Sequence, residues 1–397
     1  MLLQDPSLEA MRAVGLRRHL PINDPEALLD LELPAPALRP HDLLIRVEAI
    51  GVNPVDTKLR AGQGPADPRV HEPPLVLGFD CCGVVEAMGP LAAASNNWRI
   101  GDRVFAAGDV TRQGCNAELV ALDHRLCGRA PASLDATAAA ALPLTGLTAW
   151  EGLFERLGLT SEPNPGQQGQ TLLIIGGAGG VGSMAIQLAR RAGLRVIATA
   201  SRPDSQAWCL ELGADAVIDH SEPLAPQLAA LDRHAGATPR IPWIANLADT
   251  DAYWDQMAEL VAPQGAILAI VGNRGSLDQT LLKAKSARLC WEFMFTRARY
   301  DTADMHQQGR ILTRIGELVD TGELKPTART TLGPINAANL GMAQKVLSQL
   351  GYYQGPRDGV ASPALRMAIA AYQRDQGLPA SGGMDGETLN RLSVYAR

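Results

Sequence analysis

The chain has 397 residues, of which 46% are hydrophobic, so it can bury a sizeable core and is long enough for more than one domain. Its 36 Lys and Arg residues against 42 Asp and Glu residues give a formal net charge of −6, which argues against nucleic acid or an anionic membrane surface as a partner. The six cysteines have no regular spacing, which is typical of reduced thiols rather than of a disulfide framework.

Residues 1–10 are predicted to be a loose extension of the first domain. They lack the basic region and the long apolar segment of a secretory signal. The apolar stretches at 136–142 and 265–271 are too short to span a bilayer. These features predict a cytoplasmic protein without a transmembrane segment.

Residues 1–147 are predicted to form a β-rich domain, because short apolar segments alternate with Pro and Gly turns. The predicted strands lie at 11–16, 43–49, 76–85, 102–107 and 116–121.

Residues 148–292 change to alternating strands and helices, which predicts a doubly wound parallel sheet in an α/β domain. An apolar run at 172–175 leads into a glycine turn and then into an amphipathic segment. Glycines at 176, 179 and 182 permit a tight turn, close approach of backbone N–H groups to a pyrophosphate, and close packing of helix on strand. A second strand at 194–200 follows at the distance of a βαβ unit. We predict a dinucleotide site formed by Gly176, Gly179, Gly180, Val181 and Gly182.

The residues after the second strand bear on the choice of cofactor. An acidic residue there would bind the 2′-hydroxyl of NAD, but the chain has Ser201 and Arg202 and no carboxylate before Asp204. This favours NADPH, since Ser201 can bond a 2′-phosphate and Arg202 can pair with it or stack on the adenine. The alternative is that Arg202 is a solvated loop residue.

Further strands are predicted at 214–219, 241–246 and 265–272. Ligands of doubly wound sheets bind at the carboxyl ends of the strands. We therefore expect the residues that end two of these strands to line the nicotinamide ribose: Asn246, Leu247, Val271 and Gly272.

Residues 293–340 return to shorter, mixed elements and are assigned back to the first domain. Phe293 and Phe295 are predicted to form an apolar wall of the substrate pocket, with packing between domains as the alternative. Residues 341–397 change character again and are predicted to form a small helical module.

Several segments carry a combined family signal: 51–58 (GVNPVDTK), 101–104 (GDRV), 141–150 (ALPLTGLTAW), the glycine turn, 198–206 (ATASRPDSQ) and 291–297 (WEFMFTR). Together they resemble the medium-chain dehydrogenase/reductase superfamily, and within it the zinc-type alcohol dehydrogenase-like proteins near the quinone oxidoreductases. The resemblance covers about residues 11–340. It implies a GroES-like catalytic domain, a Rossmann domain and a cleft between them that holds the nicotinamide.

The resemblance does not by itself imply a metal. Alcohol-oxidising relatives hold zinc through a Cys and a His at places where this chain has Asn53 and Phe79, and a catalytic zinc needs about three protein ligands. The four-cysteine structural zinc lobe is also missing, and Cys81 and Cys82 are expected to be core thiols. One ligand-like spacing remains, His124 and Cys127 with Cys115 as a third member, and buried or loop positions are the alternative. We expect a zinc-independent reductase, with a zinc-dependent alcohol dehydrogenase activity as the alternative.

Without a metal, the expected chemistry is hydride transfer from NADPH to a quinone or an α,β-unsaturated carbonyl, whose negative charge spreads onto oxygen. Asn53 is a candidate to hold substrate or cofactor, or is a turn residue. Lys58 stands where many quinone oxidoreductases have a tyrosine and could stabilise an enolate, or it is a surface lysine paired with Asp56. Thr145 and Thr148 resemble family threonines that contact the nicotinamide, and capping or helix packing is their alternative role.

The C-terminal segments at 347–359, 368–373 and 377–379, with Asp385, Thr388, Leu389 and Leu392, resemble a peptidoglycan-binding-like three-helix module. It begins where oxidoreductase relatives finish with a last β-strand that this chain lacks, so an unpaired sheet edge is expected. Two functional classes follow. One is a reductase with an accessory tail, and the other is a non-catalytic protein that binds cell-wall glycan or a protein through the tail.

The resemblance also implies a homodimer, because relatives often pair through strands of the Rossmann sheet. Residues 265–271 are expected to form the edge of that sheet.

Overall fold

The computed structural model describes residues 10–22, 24, 26–63, 67–231, 239–328, 337–360, 362–378, 382–384, 388, 391–392 and 395. The chain divides into two compact units, Met1–Thr327 and Ala328–Arg397. Of the helices in these ranges, none is both long enough and apolar enough to cross a membrane.

The strands of the first unit belong to three sheets. The strands are β1 (Met11–Arg18), β2 (Leu29–Leu33), β3 (Asp42–Gly51), β4 (Val70–Val76), β5 (Asp80–Met88), β6 (Arg103–Ala106), β7 (Leu119–Asp123), β8 (Cys127–Arg129), β9 (Thr171–Ile175), β10 (Arg195–Thr199), β11 (Ala216–Ile218), β12 (Ile241–Asn246), β13 (Val261–Ala269) and β14 (Arg288–Trp291). Two sheets are antiparallel, with orders β2-β1-β4 and β7-β3-β5-β6-β8, and the third is parallel, with order β11-β10-β9-β12-β13-β14.

The α-helices of the first unit are α1 (Pro54–Ala61), α2 (Pro90–Ala94), α3 (Ala136–Ala140), α4 (Pro143–Trp150), α5 (Gly180–Arg191), α6 (Pro203–Glu211), α7 (Leu224–Leu231), α8 (Thr250–Leu260), α9 (Thr280–Lys283), α10 (Thr296–Tyr300) and α11 (His306–Asp320). A short 3₁₀ segment spans His124–Leu126, and a π-helical turn, Glu151–Arg156, continues α4.

The parallel sheet is covered by apolar packing on both faces. Along β9, Leu172 and Ile174 belong to one buried cluster, and Leu173 and Ile175 belong to another. This alternation explains the continuous apolar run in the sequence, which is typical of a strand buried on both sides. The predicted fold class, a β-rich part joined to a doubly wound parallel sheet and followed by helices, is confirmed.

The single strand predicted at 76–85 is wrong. The chain forms β4 and β5 there, and these strands lie in different sheets. The break falls at Gly78, whose φ of 91° is in the left-handed region that favours glycine, and a Cβ at Gly78 would collide with the side chain of Asn116. The turn therefore needs glycine, and it redirects the chain so that β5, which begins at Asp80, enters a different sheet.

The prediction that residues 265–271 form the edge of the parallel sheet is also wrong. Strand β13 pairs with β12 on one side and with β14 on the other, so β14 is the edge strand. The sequence pattern did not reveal β14, because four residues are too short for a clear periodicity. The homodimer stays a prediction, without the edge on which it was based.

The three-stranded sheet has β2 and β4 at its edges in the described part of the chain. Strand β4 contains Pro73 and Pro74, which have no N–H to offer to a further strand. Proline is one of the ordinary devices that protect an edge from unwanted pairing.

Helix α11 returns to the β-rich part of the first unit. A Cβ at Gly128 of β8 would collide with Leu312, and Leu312 and Ile315 share a buried cluster with Phe105 and Leu147. The segment after the parallel sheet thus packs against both the β-strands and α4.

The second unit contains α12 (Ala337–Gln349) and α13 (Pro363–Asp375), and Thr388, Arg391, Leu392 and Tyr395 are also helical. The buried Gln344 holds the loop between α12 and α13. Its Nε2 donates to Asp358 Oδ1 at 2.9 Å and to the carbonyl of Val360 at 3.0 Å, and its Oε1 accepts from Gly359 N at 2.8 Å. Pro379, Asp385 and Leu389, which carried part of the sequence resemblance, lie outside the described residues.

Candidate active site

The predicted glycine turn joins β9 to α5. Gly176 has a φ of 87°, and its N–H donates to Thr199 Oγ1 of the neighbouring strand at 3.1 Å. A Cβ at Gly182 would collide with the carbonyl of Gly176 and lie 2.5 Å from that of Gly177. The close packing of helix on strand therefore requires glycine at position 182. The first turn of α5, with Gly180 and Val181, presents free N–H groups of the kind that bind anions.

Ser201 and Arg202 follow β10 directly, and both are exposed. Arg202 precedes α6 with extended backbone and makes no side-chain cap. In the described ranges no carboxylate pairs with Arg202, so its guanidinium is available to a ligand. Behind these residues, Thr199 Oγ1 lies 3.2 Å from His220 Nδ1, a neighbour that the sequence did not suggest.

The carboxyl ends of β12 and β13 are joined through Thr250. The buried Asn246 donates from Nδ2 to Thr250 Oγ1 at 3.2 Å, and Thr250 Oγ1 donates to the carbonyl of Val271 at 2.5 Å. Leu247 is half-buried and Gly272 is exposed beside them. The structure thus brings the four predicted ribose-site residues to one sheet end, and Thr250 is the residue that the sequence analysis missed.

Asn53 and Asp80 form a buried hydrogen-bonded pair. Asn53 Nδ2 donates to Asp80 Oδ2 at 2.7 Å, and the N–H of Leu144 donates to Asp80 Oδ1 at 2.7 Å. Asp56 Oδ2 accepts from the N–H of Asn53 at 2.7 Å. Asp80, which the sequence analysis did not single out, therefore links the loop before α1 to the first turn of α4.

Burial dominates the electrostatics of this pair. Removal from water raises the pKa of Asp80 to about 8, although the bonds from Asn53 and Leu144 favour its charged form. Burial also raises the pKa of Asp56, which lies close enough to add to the shift at Asp80. Two acids beside Asn53 thus hold their protons more tightly than acids in water.

Thr145 and Thr148 lie on α4 and are buried. Thr148 Oγ1 donates to the carbonyl of Leu144 at 2.8 Å, and Thr145 Oγ1 lies 3.2 Å from the carbonyl of Leu142. Both hydroxyl protons are therefore used in hydrogen bonds to backbone carbonyls at the start of α4, and the lone pairs of the hydroxyl oxygens remain available to a ligand. A Cβ at Gly180 would be 2.8 Å from Thr145 Cγ2, so Thr145 lies against the glycine turn.

Phe79, Phe293 and Phe295 form an aromatic group. The Phe295 ring makes edge contacts with Phe79 at 5.0 Å and with Phe293 at 5.5 Å between centroids. Phe295 is buried, whereas Phe293 is 45% exposed. Phe79, noted in the sequence only as a non-ligand, thus extends the predicted apolar wall.

A buried ionic network supports this wall. Arg156 Nε donates to Glu292 Oε2 at 2.7 Å, and Arg297 Nη1 lies 2.9 Å from Glu151 Oε1. Burial, with Glu292 as a like-charged neighbour, raises the pKa of Glu151 to about 8. Glu292 and Arg297 flank the phenylalanines, and Glu151 continues α4, so the network fixes the wall to the helix that carries the threonines.

Lys58 does not join this cluster. It is exposed on α1, and the ion pairs made by the described residues do not include one between Lys58 and Asp56. Asp56 instead caps the loop at Asn53.

Comparison with known proteins identifies the first unit. Residues 39–143 match the family model for the alcohol dehydrogenase GroES-like domain, and residues 180–305 match that for zinc-binding dehydrogenase. A zinc-type alcohol dehydrogenase-like protein of Staphylococcus epidermidis is 38% identical over 337 residues, which are 85% of this chain and 96% of that protein. The chain belongs to the zinc-type alcohol dehydrogenase-like proteins, a family of oxidoreductases in the medium-chain dehydrogenase/reductase superfamily.

Solved structures agree with this assignment. A Rhizobium etli protein assigned as a zinc-dependent alcohol dehydrogenase has 45% identity and a TM-score of 0.74, and it covers 88% of this chain and 97% of its own. A quinone oxidoreductase of Pseudomonas syringae has 27% identity and a TM-score of 0.65, and the match covers 79% of this chain and 90% of that protein. A mycobacterial protein complexed with NADPH has 29% identity and a TM-score of 0.64, and the match covers 81% of this chain and 91% of that protein.

The tail has separate relatives. Residues 336–392 match a family model for a peptidoglycan binding domain. The localization factor PodJL of Caulobacter vibrioides is 87% identical over 60 residues, which are 15% of this zinc-type alcohol dehydrogenase-like chain and 6% of that protein.

Despite the family's name, the residues at the Asn53 position do not fit a catalytic zinc. Phe79 offers no donor atom, and the amide nitrogen of Asn53, which donates to Asp80, has no lone pair available to a metal. Cys81 is buried in the core of the five-stranded sheet, and burial raises the pKa of Cys82 to about 11. Zinc needs about three deprotonated or lone-pair donors around one point, and this cluster does not supply them.

The alternative spacing at His124 is not assembled as the sequence suggested. Cys127 Sγ donates to the carbonyl of Asp123 at 3.4 Å, and Cys115 Sγ donates to the carbonyl of Asp80 at 3.2 Å. The two thiols thus donate to backbone carbonyls of different strands and do not converge on His124.

The raised pKa of Asp80 predicts a pH-dependent stability. The folded chain keeps a proton that the unfolded chain releases between about pH 3.8 and pH 8. The free energy of unfolding of the wild type, relative to that of Asp80→Asn, should therefore fall across this window by up to about 1.4 kcal/mol per pH unit. Urea titrations followed by tryptophan fluorescence measure this difference, since all six tryptophans lie in the first unit.

Asp278→Asn is the matched control. A hydrogen bond from Thr280 lowers the pKa of Asp278, so this group stays ionised in both states above about pH 5 and its effect should not vary with pH. A flat difference between wild type and Asp80→Asn would contradict the assignment of a protonated Asp80.

Proposed function

We propose that the chain is a zinc-independent, NADPH-dependent oxidoreductase that transfers hydride to a quinone or an α,β-unsaturated carbonyl. The observation that carries this proposal is the Asn53–Asp80 pair. A buried acid holds the amide donor of Asn53, and the sequence resemblance implies that metal-dependent relatives hold an ion at this position. A conjugated carbonyl needs only positioned hydrogen-bond donors to accept hydride, whereas a simple ketone needs stronger polarisation.

The chain's own residues would then act as follows. When bound, NADPH supplies the hydride, and a proton from water completes reduction of the quinone to hydroquinone. One hydrogen of the Asn53 amide is bonded to Asp80, which leaves the second free to donate to a substrate oxygen. Phe293, Phe295 and Phe79 exclude water from the apolar side of the substrate. The mycobacterial relative complexed with NADPH and the quinone oxidoreductase relative are consistent with this reaction class.

The cofactor assignment depends on Ser201 and Arg202. An exposed guanidinium without a carboxylate partner among the described residues suits the 2′-phosphate of NADPH, and a charge-assisted bond is worth about 1.5–3 kcal/mol. The cytoplasmic location remains a prediction of the sequence.

The first test is NADPH oxidation by the purified chain with a panel of small quinones and enones. Arg202→Ala should raise the KM for NADPH by about 10- to 100-fold and leave that for NADH nearly unchanged, because only NADPH carries the 2′-phosphate. Arg99→Ala, at an exposed arginine of the β-rich part, is the control. Turnover that a chelator abolishes would favour the zinc-dependent alternative, and equal use of NADH and NADPH would contradict the cofactor assignment.

The glycine turn allows ligand binding to be separated from folding. A Cβ at Gly179 would lie 3.4 Å from the carbonyl of Gly176, an ordinary contact, and its backbone has a φ of −72° that alanine adopts. Gly179→Ala should therefore change the free energy of unfolding by less than about 1 kcal/mol. It should nevertheless weaken NADPH binding about tenfold or more, since the methyl group would occupy the approach of the pyrophosphate.

Fluorescence titration with NADPH and urea unfolding measure the two effects. Gly341→Ala, at an uncrowded glycine of α12, should leave NADPH binding unchanged. Equal NADPH affinity in Gly179→Ala and wild type would contradict the assignment of the glycine turn to the cofactor site.

For the tail, we infer a second, binding role toward cell-wall glycan, which the family match of residues 336–392 favours. The full chain should sediment with purified peptidoglycan sacculi. Gln344→Ala removes three hydrogen bonds that hold the loop after α12 and should abolish sedimentation, whereas the exposed Gln349→Ala should not. Sedimentation without any NADPH binding would support the non-catalytic alternative, and no sedimentation of the wild type would exclude the glycan role.

A further inference from the structure

Three metal-ligating side chains meet at one end of the five-stranded sheet. His41 directly precedes β3, Asp123 ends β7, and His124 follows it. Strands β3 and β7 are antiparallel, with Asp42 opposite Asp123, so the start of one strand lies beside the end of the other. The N–H of His124 donates to the carbonyl of His41 at 2.9 Å, which fixes the two histidines side by side.

The side chains of these residues converge as well as their backbones. The imidazole rings of His41 and His124 are stacked, with centroids 5.7 Å apart and an interplanar angle of 19°. One ligand atom from each histidine and one carboxylate oxygen of Asp123 lie within 4.8 Å of one another. Two atoms that bind one ion at about 2.0–2.2 Å lie at most about 4.4 Å apart, so small rotations of these side chains would bring all three ligand atoms into one coordination sphere.

His41 provides an independent sign of a missing ligand. Its Nδ1 is buried and has no hydrogen-bond partner in the described part of the protein. A buried polar atom without a partner costs about 1–3 kcal/mol, and a bound cation would remove that cost.

We propose that His41, Asp123 and His124 bind a borderline divalent transition-metal ion, such as Zn²⁺, Ni²⁺ or Cu²⁺. Two imidazoles and one carboxylate are the donor types that these ions prefer, whereas Mg²⁺ and Ca²⁺ prefer oxygen alone. All three residues are half-buried, so water can complete the coordination. The other groupings that sequence spacing suggested use thiols that are bonded elsewhere.

This site is separate from the Asn53–Asp80 cluster. Strand β3 runs from Asp42 to Gly51, so His41 and Asn53 lie beyond its opposite ends. An ion at His41 therefore takes no part in hydride transfer, and the inference does not depend on the proposed function. Its expected effect is to tie β3 to β7.

Arg125 opposes the ion and gives the proposal a sharp test. Its Nε and Nη2 donate to the two oxygens of Asp123 at 3.0 and 2.8 Å, and its N–H donates to Oδ1 at 2.9 Å. The guanidinium orients the carboxylate but competes with a cation for it. Arg125→Ala should therefore tighten binding, the opposite of what most substitutions beside a site would do.

The experiment is isothermal titration of the full chain with ZnCl₂ and NiCl₂. His41→Asn and His124→Asn should each weaken one binding event by at least about tenfold, since even loss of an outer-shell partner costs about 10- to 100-fold. His306→Asn, at an exposed histidine of α11, is the matched control and should leave it unchanged. The same metal affinity and stoichiometry in the wild type, in both site variants and in the His306→Asn control would overturn the proposal.

A second measurement guards against misfolded variants. Electron paramagnetic resonance of the chain loaded with one equivalent of Cu²⁺ should show two imidazole nitrogens in the wild type and in His306→Asn, and one nitrogen in each of the site variants. Thermal melts of the metal-free variants report whether they fold. Unchanged nitrogen coupling in a folded His41→Asn protein would place the ion elsewhere.

Discussion

One buried carboxyl group organises the candidate active site. Asp80 accepts from the amide of Asn53 and from the N–H of Leu144, both at 2.7 Å, and so joins the loop before α1 to the start of α4. A buried acid without such partners would cost several kcal/mol, so the three groups depend on one another. The position of Asn53, the first turn of α4 and the threonines that this helix carries all follow from that contact.

Helix α4 in turn contacts the glycine turn at one end and the support of the aromatic wall at the other. Thr145 packs against Gly180, where a side chain would not fit, and this sets how closely α5 approaches α4. At its other end α4 continues into a π-helical turn that contains Glu151, and Glu151 reaches Arg297 beyond the phenylalanines. Such local widening of a helix is frequent at functional sites. A single helix thus connects the glycine turn, the acid–amide pair and the aromatic wall.

What the sequence could predict was the part of the site encoded within one continuous segment. The glycine turn was predictable because the strand, the three glycines and the helix follow one another, and their spacing has a direct steric meaning. Asp80 and Glu292 were missed because their partners are distant in the chain: Asp80 and Leu144 are 64 residues apart, and Arg156 and Glu292 are 136 apart. The role of a buried polar residue is defined by its partner, and no local pattern supplies that partner. The turn at Gly78 was missed for a related reason, since its need for glycine arises from Asn116 of a distant segment.

The same burial that builds the site also limits the stability of the protein. Asp80 and Glu151 have raised pKa values, so each favours folding less as the pH rises toward 8. Paired acids near the surface act in the opposite sense: Arg274 lowers the pKa of Asp249, and Arg191 lowers that of Glu323, so these groups favour folding more once the pH exceeds their ordinary range. Above about pH 5 these paired acids are ionised in both the folded and the unfolded chain, so the slope that acids give between pH 5 and pH 8 should come from the buried ones. A catalytic zinc would reverse this balance, since a cation among the acids would favour their charged forms. The raised pKa of Asp80 and the fixed position of the Asn53 amide thus have one origin, the burial of a single hydrogen-bonded cluster that Asp80 forms with Asn53 and Leu144.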